Sequence, residues 1–262
     1  MANIDLTVSG PLAMLSVNVP PQNRFTVETV AQFDATLDRI EASDVRAVLV
    51  RAEGPDFCCG AQTDSWISLS DRQRYEYFSK VMRVFNRFEL LPIPTVAAVQ
   101  GLAASLGVEL AVRADIVVAG RSARFEHAEA SVGIVTMIGG VHRVAERAGR
   151  SKAIEWAYSA EQTSAAEMER FGIVNKVVDD ADLDRVAREC AERLSRGATL
   201  AFAAHKRLLR IWSASGVDAA DQATLGIALP VFLSQDAHIG VQGAADARKA
   251  GKAKPHWTFE GR

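Results

Sequence analysis

Cysteine is scarce in this chain, with only Cys58, Cys59 and Cys190 in 262 residues. Three cysteines cannot build a disulfide framework, and sequence neighbours rarely bridge each other. No apolar run reaches the ~20 residues that a membrane-spanning helix needs. The opening MANIDLTVSG lacks the charged-then-apolar layout of a secretory leader. These absences predict a protein of a reducing compartment, the cytoplasm, with no membrane partner. Charge of one sign is missing too: the net is −2. The short basic tail of Arg248, Lys249, Lys252 and Lys254 has little aromatic interleaving, so no nucleic-acid partner is expected. Phosphate-binding and dinucleotide-binding glycine motifs are absent, as are H-E-x-x-H and C-x-x-C. His127, His142, His205, His238 and His256 do not group at ligand spacing, and no metal is expected.

What is present suits a globular chain with a sizeable core: 48% hydrophobic and 24% charged residues. IDLTVSGPLAMLSVNV reads as two strands around Ser9-Gly10-Pro11. Residues 26–43 carry apolar positions at helical spacing (Val27, Val30, Phe33, Leu37, Ile40), with Thr26 and Glu28-Thr29 at the start. VRAVLVRAE is a compact buried strand. A helix at roughly 72–90 precedes Pro92 and Pro94, TVAAVQG gives another strand, a small-residue helix spans about 103–113, and DIVVAG is again a strand. Strand and helix in alternation predict an α/β domain with parallel pairing. Beyond about residue 138 the periods are helical: 138–149, 151–159, 164–170, 181–196, 199–213, 217–232 and 236–248. Asp182 in a first turn suits the helix dipole. The expectation is a helical second half with no sheet of its own, packed on the first half or on another subunit.

Three places invite chemistry. In GPDFCCGAQTD, residues 54–64, either the Cys59 sulfur or the backbone at Gly60-Ala61 is the working part. No neighbouring positive charge activates Cys59, so two core cysteines are the plainer reading. Glu109 lies in the otherwise apolar ASLGVELAV, where a carboxylate is costly without a partner or a purpose. It pairs with Arg113 at i,i+4, or it serves a function. Glu129 in FEHAEASVG is by itself an ordinary solvated loop acid, like Glu126.

Five blocks, in order, carry a resemblance to the enoyl-CoA hydratase/isomerase (crotonase) superfamily. They are VRAVLVRAEGPDFCCGAQ, PTVAAVQGLAASLGVELAVRADIVVAG, ARFEHAEASVGIVTMIGGVHRVAERAG, FGIVNKVV and the closing KAKPHWTFEG. The resemblance implies a crotonase-like spiral of β-β-α units over residues 1–198, and a helical C-terminal oligomerisation region over 199–262 that mediates trimers or dimers of trimers. It implies that the backbone N–H groups of Ala61 and Leu106 form an oxyanion hole for a thioester carbonyl, where fixed donors act most strongly on developing charge. Small side chains there let acyl-CoA approach the backbone, and the Cys59 carbonyl is expected to meet the adenine amino group. Glu109 matches the family's base and Glu129 its proton donor; burial and mutual repulsion are expected to raise one pKa and leave the other acid ionised. Arg24, Cys59, Gly60, Thr136, Met137, Lys252 and Lys254 are the expected CoA- and substrate-binding residues.

The activity so implied is reversible hydration of 2-trans-enoyl-CoA to 3-hydroxyacyl-CoA in fatty acid metabolism. Coenzyme A enters as part of the substrate, with no metal or redox cofactor. Double-bond isomerisation, decarboxylation or C–C hydrolysis of an acyl-CoA, or non-catalytic acyl-CoA or RNA binding, are the alternatives. The chain departs from the family pattern at Ser105-Leu106-Gly107, usually three glycines, and at Thr136-Met137, usually Pro-Gly. Gln62 stands for the common Asp, and Asp64 and Pro21 stand where basic residues are common.

Overall fold

The computed structural model describes residues 3–253 and 255–261. β1 (Asn3–Ser9) and β2 (Leu12–Asn18) form an antiparallel hairpin, as the alternation around Ser9-Gly10-Pro11 predicts. α1 (Val27–Glu41) opens at Thr26, whose hydroxyl accepts the Thr29 amide while the Thr29 hydroxyl accepts the Thr26 amide. This reciprocal cap satisfies donors that a helix start leaves free. There follow β3 (Ala47–Ala52), α2 (Asp71–Glu89), β4 (Thr95–Val99), β5 (Leu102–Ala104), α3 (Leu106–Ala111), β6 (Ile116–Gly120) and β7 (Arg124–Glu126). The second half holds α4 (Gly140–Ala148), α5 (Arg150–Ser159), β8 (Gln162–Ser164), α6 (Ala165–Arg170), β9 (Lys176–Val178), α7 (Leu183–Ser195), α8 (Thr199–Phe232) and α9 (Gln235–Lys249).

Among the described residues the strands form two sheets, one in the order β1-β2-β3-β4-β6-β9 and one in the order β5-β7-β8. From β2 onward the larger sheet is parallel. Successive strand pairs place one member in each sheet: β4 then β5, β6 then β7. A helix returns the chain each time, so it climbs as the expected spiral of β-β-α turns. β3, β4 and β6 read as unbroken apolar runs because both faces are covered. Ala47, Leu49, Val96, Ala98 and Val118 face α7, whereas Val48, Val50, Ala97, Val99, Val117 and Ala119 face the main core. In that core Phe33 stacks on Phe85 with ring centres 5.2 Å apart, joining α1 to α2.

Two expectations need correction. The helix anticipated over 103–113 is shorter, because residues 102–104 pair with β7 as a strand and only Leu106–Ala111 are helical. Nor is the second half without sheet: β8 joins the smaller sheet and β9 extends the larger one. Both are three residues long, too short to show a period.

The anticipated break between helices 199–213 and 217–232 is present as a kink in α8, where Gly216 has φ 83° and ψ 179°. α8 is tied to the lower sheet edge by Lys206, whose Nζ donates to Asp115 (2.9 Å) and the Ile93 carbonyl (3.2 Å). Beyond the kink Leu225, Leu229, Phe232 and Leu233 are exposed. The C-terminal segment returns to the start of β3, where Arg46 donates to the carbonyls of Gly197 and Phe259.

Candidate active site

Parallel strands leave their functional loops at their carboxyl ends, and two such loops meet here. The chain after β3 runs beside β5: the Cys58 amide donates to Leu102 (3.2 Å), and the Cys58 carbonyl accepts the Ala104 amide (2.9 Å). Asn23 pins this loop from outside. Its Nδ2 donates to the carbonyls of Glu53 and Asp56, both at 2.8 Å, and its Oδ1 accepts the Val19 amide. Gly107 lets α3 reach the loop, because a Cβ there would sit 2.0 Å from the Cys58 carbonyl oxygen. Gly60, with φ +98°, turns the chain in a conformation that favours glycine and lies against Ser105.

Residues 60–61 and 105–106 are thereby neighbours. Phe25 donates to the Gly60 carbonyl (2.9 Å) and accepts the Gln62 amide (2.8 Å), so the Ala61 amide points the other way. Leu106 opens α3, where a helix leaves amides unpaired. Among the described residues neither amide donates to a protein acceptor. The Leu106 side chain is buried in the main core.

Glu109 and Glu129 are both buried, at 3% and 6% exposure. Glu109 does not pair with Arg113. Its Oε1 accepts the amides of Ile138 (3.1 Å) and Gly140 (2.8 Å). Arg113 grips the same loop through the Ile138 carbonyl and bonds Glu89 at 2.6 Å. Burial pushes Glu109 up to about 7; the Gly140 amide opposes this and the charge of Glu129 adds to it. Glu129 also lies above the ordinary carboxylate range, again through burial, while its own amide and the Ser105 side chain favour its charged form. Its Oε2 is buried without a hydrogen-bond partner. Instead of one acid raised and the other left ionised, both are raised, and burial outweighs repulsion as the cause.

The other expected site residues divide. Burial drives the Cys58 thiol to about 12 and the Cys59 thiol to about 11, so neither sulfur is poised as a nucleophile. The Cys59 carbonyl already accepts Arg24 Nη1 at 2.5 Å, leaving one lone pair for a ligand. Thr136 and Met137 lie in the loop between Glu129 and Gly140, with Thr136 Oγ1 buried and unpartnered. Lys252 is exposed and not brought to the glutamates, since the chain beyond it is anchored at Asp236 and Arg46. Lys254 lies outside the described residues. Two surface cavities, about 290 and 710 Å³, lie elsewhere, beside Trp257 and beside Arg87. Among the described residues no three His, Cys, Asp or Glu side chains gather as a metal site.

Three participants escaped the sequence reading. Asn23 shapes the loop, and His127 is buried beside Gly140, which caps Glu109. Ser105 takes φ 50° and ψ −118°, which disfavours a side chain. An asparagine in a proline-rich turn was the only available hint for the first, a serine in place of the family's usual glycine marked Ser105, and none marked His127.

Free amides beside two buried acids, on a two-sheet spiral, make up the candidate site. The chain belongs to the enoyl-CoA hydratase/isomerase family, whose model matches residues 8–257. It is 30% identical to the short-chain-enoyl-CoA hydratase of Clostridium acetobutylicum over 221 residues, 83% of this chain and 85% of that one. It is 31% identical to the 1,2-epoxyphenylacetyl-CoA isomerase of Escherichia coli over 201 residues, 74% and 77% of the two chains. The solved structure of an enoyl-CoA hydratase from Bacillus anthracis has a TM-score of 0.89 at 24% identity, covering 99% of this chain and 100% of that one. That likeness establishes the crotonase fold.

Proposed function

We propose that the protein reversibly hydrates 2-trans-enoyl-CoA to 3-hydroxyacyl-CoA. The observation that carries this is the pair of buried glutamates beside the undonated amides of Ala61 and Leu106. The thioester oxygen sits between those amides, which favour the enolate over the neutral thioester. Glu109, steadied by two amides on Oε1, takes a proton from water as its oxygen bonds to C3. Glu129, whose hold on a proton burial strengthens, gives a proton to C2. One water is consumed, and the reverse sequence releases it. Arg24, Cys59, Gly60, Lys252 and Lys254 hold the coenzyme A moiety, while Thr136 and Met137 shape the acyl end.

Residues 1–198 form the catalytic unit in this reading. Residues 199–262 join a homotrimer or homohexamer, supported by the exposed apolar side chains of α8. Among the described residues no helix is long and apolar enough to cross a membrane, and a cytoplasmic setting suits the thiols.

The test is loss of the conjugated thioester absorbance of crotonyl-CoA. Glu109→Gln and Glu129→Gln are each expected to slow turnover at least about a hundredfold. Unchanged rates in both variants would remove the assignment. The isomerase relative supports a second reading, rearrangement of an acyl-CoA on the same amides. A product of unchanged mass, in place of one heavier by a water, identifies it.

A further inference from the structure

His127 is 3% exposed, and both ring nitrogens are buried without a hydrogen-bond partner. Each orphaned polar atom carries a desolvation penalty that a leucine or methionine of similar size would not. Such a group in a native fold calls for a bound molecule to satisfy it. Two further orphans lie on the same stretch of chain: Glu129 Oε2 and Thr136 Oγ1.

The ring's position narrows what that molecule is. Gly140, whose amide binds Glu109, is the meeting point. A Cβ built there would lie 2.7 Å from Glu109 Cγ, and 3.4 Å from both Glu109 Oε1 and His127 Cε1. Cε1 stands between the two nitrogens, so the edge of the ring that carries both approaches Gly140, against which Glu109 also lies. Burial pulls the imidazole down to about 4, which leaves it neutral near pH 7, with one N–H and one lone pair. A carboxylate ligand would add charge beside two acids. An uncharged oxygen with its own hydrogen can accept from the ring N–H and donate to Glu129 Oε2.

We propose that His127 belongs to the reaction site and hydrogen-bonds the oxygen that is water before hydration and the 3-hydroxyl of the acyl chain after it. This rests on the hydratase reading. It adds a third group that recognises the reacting oxygen, beyond the two glutamates. It also makes the site selective for 3-hydroxyacyl over saturated acyl chains.

The experiment compares wild type with His127→Leu, His127→Met and His127→Gln. It measures KM for 3-hydroxybutyryl-CoA, KM for crotonyl-CoA, competitive inhibition by butyryl-CoA, and the melting temperature. In the Leu and Met variants KM for 3-hydroxybutyryl-CoA is expected to rise about tenfold, the worth of one hydrogen bond. Crotonyl-CoA KM and butyryl-CoA inhibition should stay within about twofold, with no fall in melting temperature. Gln, which donates and accepts, should recover most of the loss. A merely structural role would shift all three ligands together, and that result overturns the proposal. So does an unchanged 3-hydroxybutyryl-CoA KM, or failure of both apolar variants to fold, which would mean that the ring has a structural partner. If wild type does not hydrate crotonyl-CoA, the hydratase reading falls and this inference with it. If it hydrates normally and hydroxyl selectivity survives in His127→Leu, only this inference falls.

Discussion

Glu109 couples folding to pH. Between its ordinary 4.5 and about 7, the folded side chain holds a proton that the unfolded chain has released. Its contribution to stability therefore falls as pH rises through that window and levels off above it, while His127, pulled down to about 4, acts in the opposite sense below its ordinary 6.5. Glu109→Gln keeps the acceptor oxygen for Ile138 and Gly140 but removes the charge. Urea unfolding is expected to find the variant more stable than wild type above pH 7, by up to about 3 kcal/mol. The advantage should vanish below pH 4.5. If Glu109 is the base, wild-type kcat/KM should also decline as pH drops below about 7. Ser105 makes a second case. Its left-handed φ of 50° holds about 1–3 kcal/mol that Ser105→Gly should partly release, raising the melting temperature. The same change removes a side chain that favours the Glu129 carboxylate. Glu109 was legible in the sequence because a carboxylate in an apolar run is conspicuous. His127 was not, because burial is a product of tertiary packing and leaves no mark on spacing, and Ser105 stood out only as a serine where the family usually has glycine.

At the level of elements, strands buried on both faces and the capped helices α1 and α2 were legible, since their periods run over whole segments. Short pieces were not. Leu102, Ala103 and Ala104 are small or apolar enough for either conformation, and the open edge of β7 decides for strand. Lys176–Val178 likewise owes its extended form to the free edge of β6. The contact of α3 with the Cys58 loop is sensitive to volume. Gly107→Ala places a methyl against the Cys58 carbonyl, where neither backbone can yield cheaply. The expected result is a loss of about 1–3 kcal/mol in stability. As the Ala61 and Leu106 amides separate, kcat should fall further than substrate affinity does.

For the molecule as a whole, α8 beyond Gly216 is the part least explained by a single chain. Leu225, Leu229, Phe232 and Leu233 are 67%, 55%, 66% and 89% exposed, more clustered apolar surface than a solitary chain usually shows. If this face is buried between copies, light scattering should find a trimer or hexamer. Leu229→Asp combined with Phe232→Asp should then yield smaller particles and a melting temperature that depends on concentration. A wild-type particle of single-chain mass would remove the oligomer.

The donors at Ala61 and Leu106 belong to the main chain, so no codon encodes them directly. The side chains around them can change, and the amides persist while the turn keeps its course. Such equipment is inherited through shape, and a lineage can retool its chemistry around it without first surrendering it.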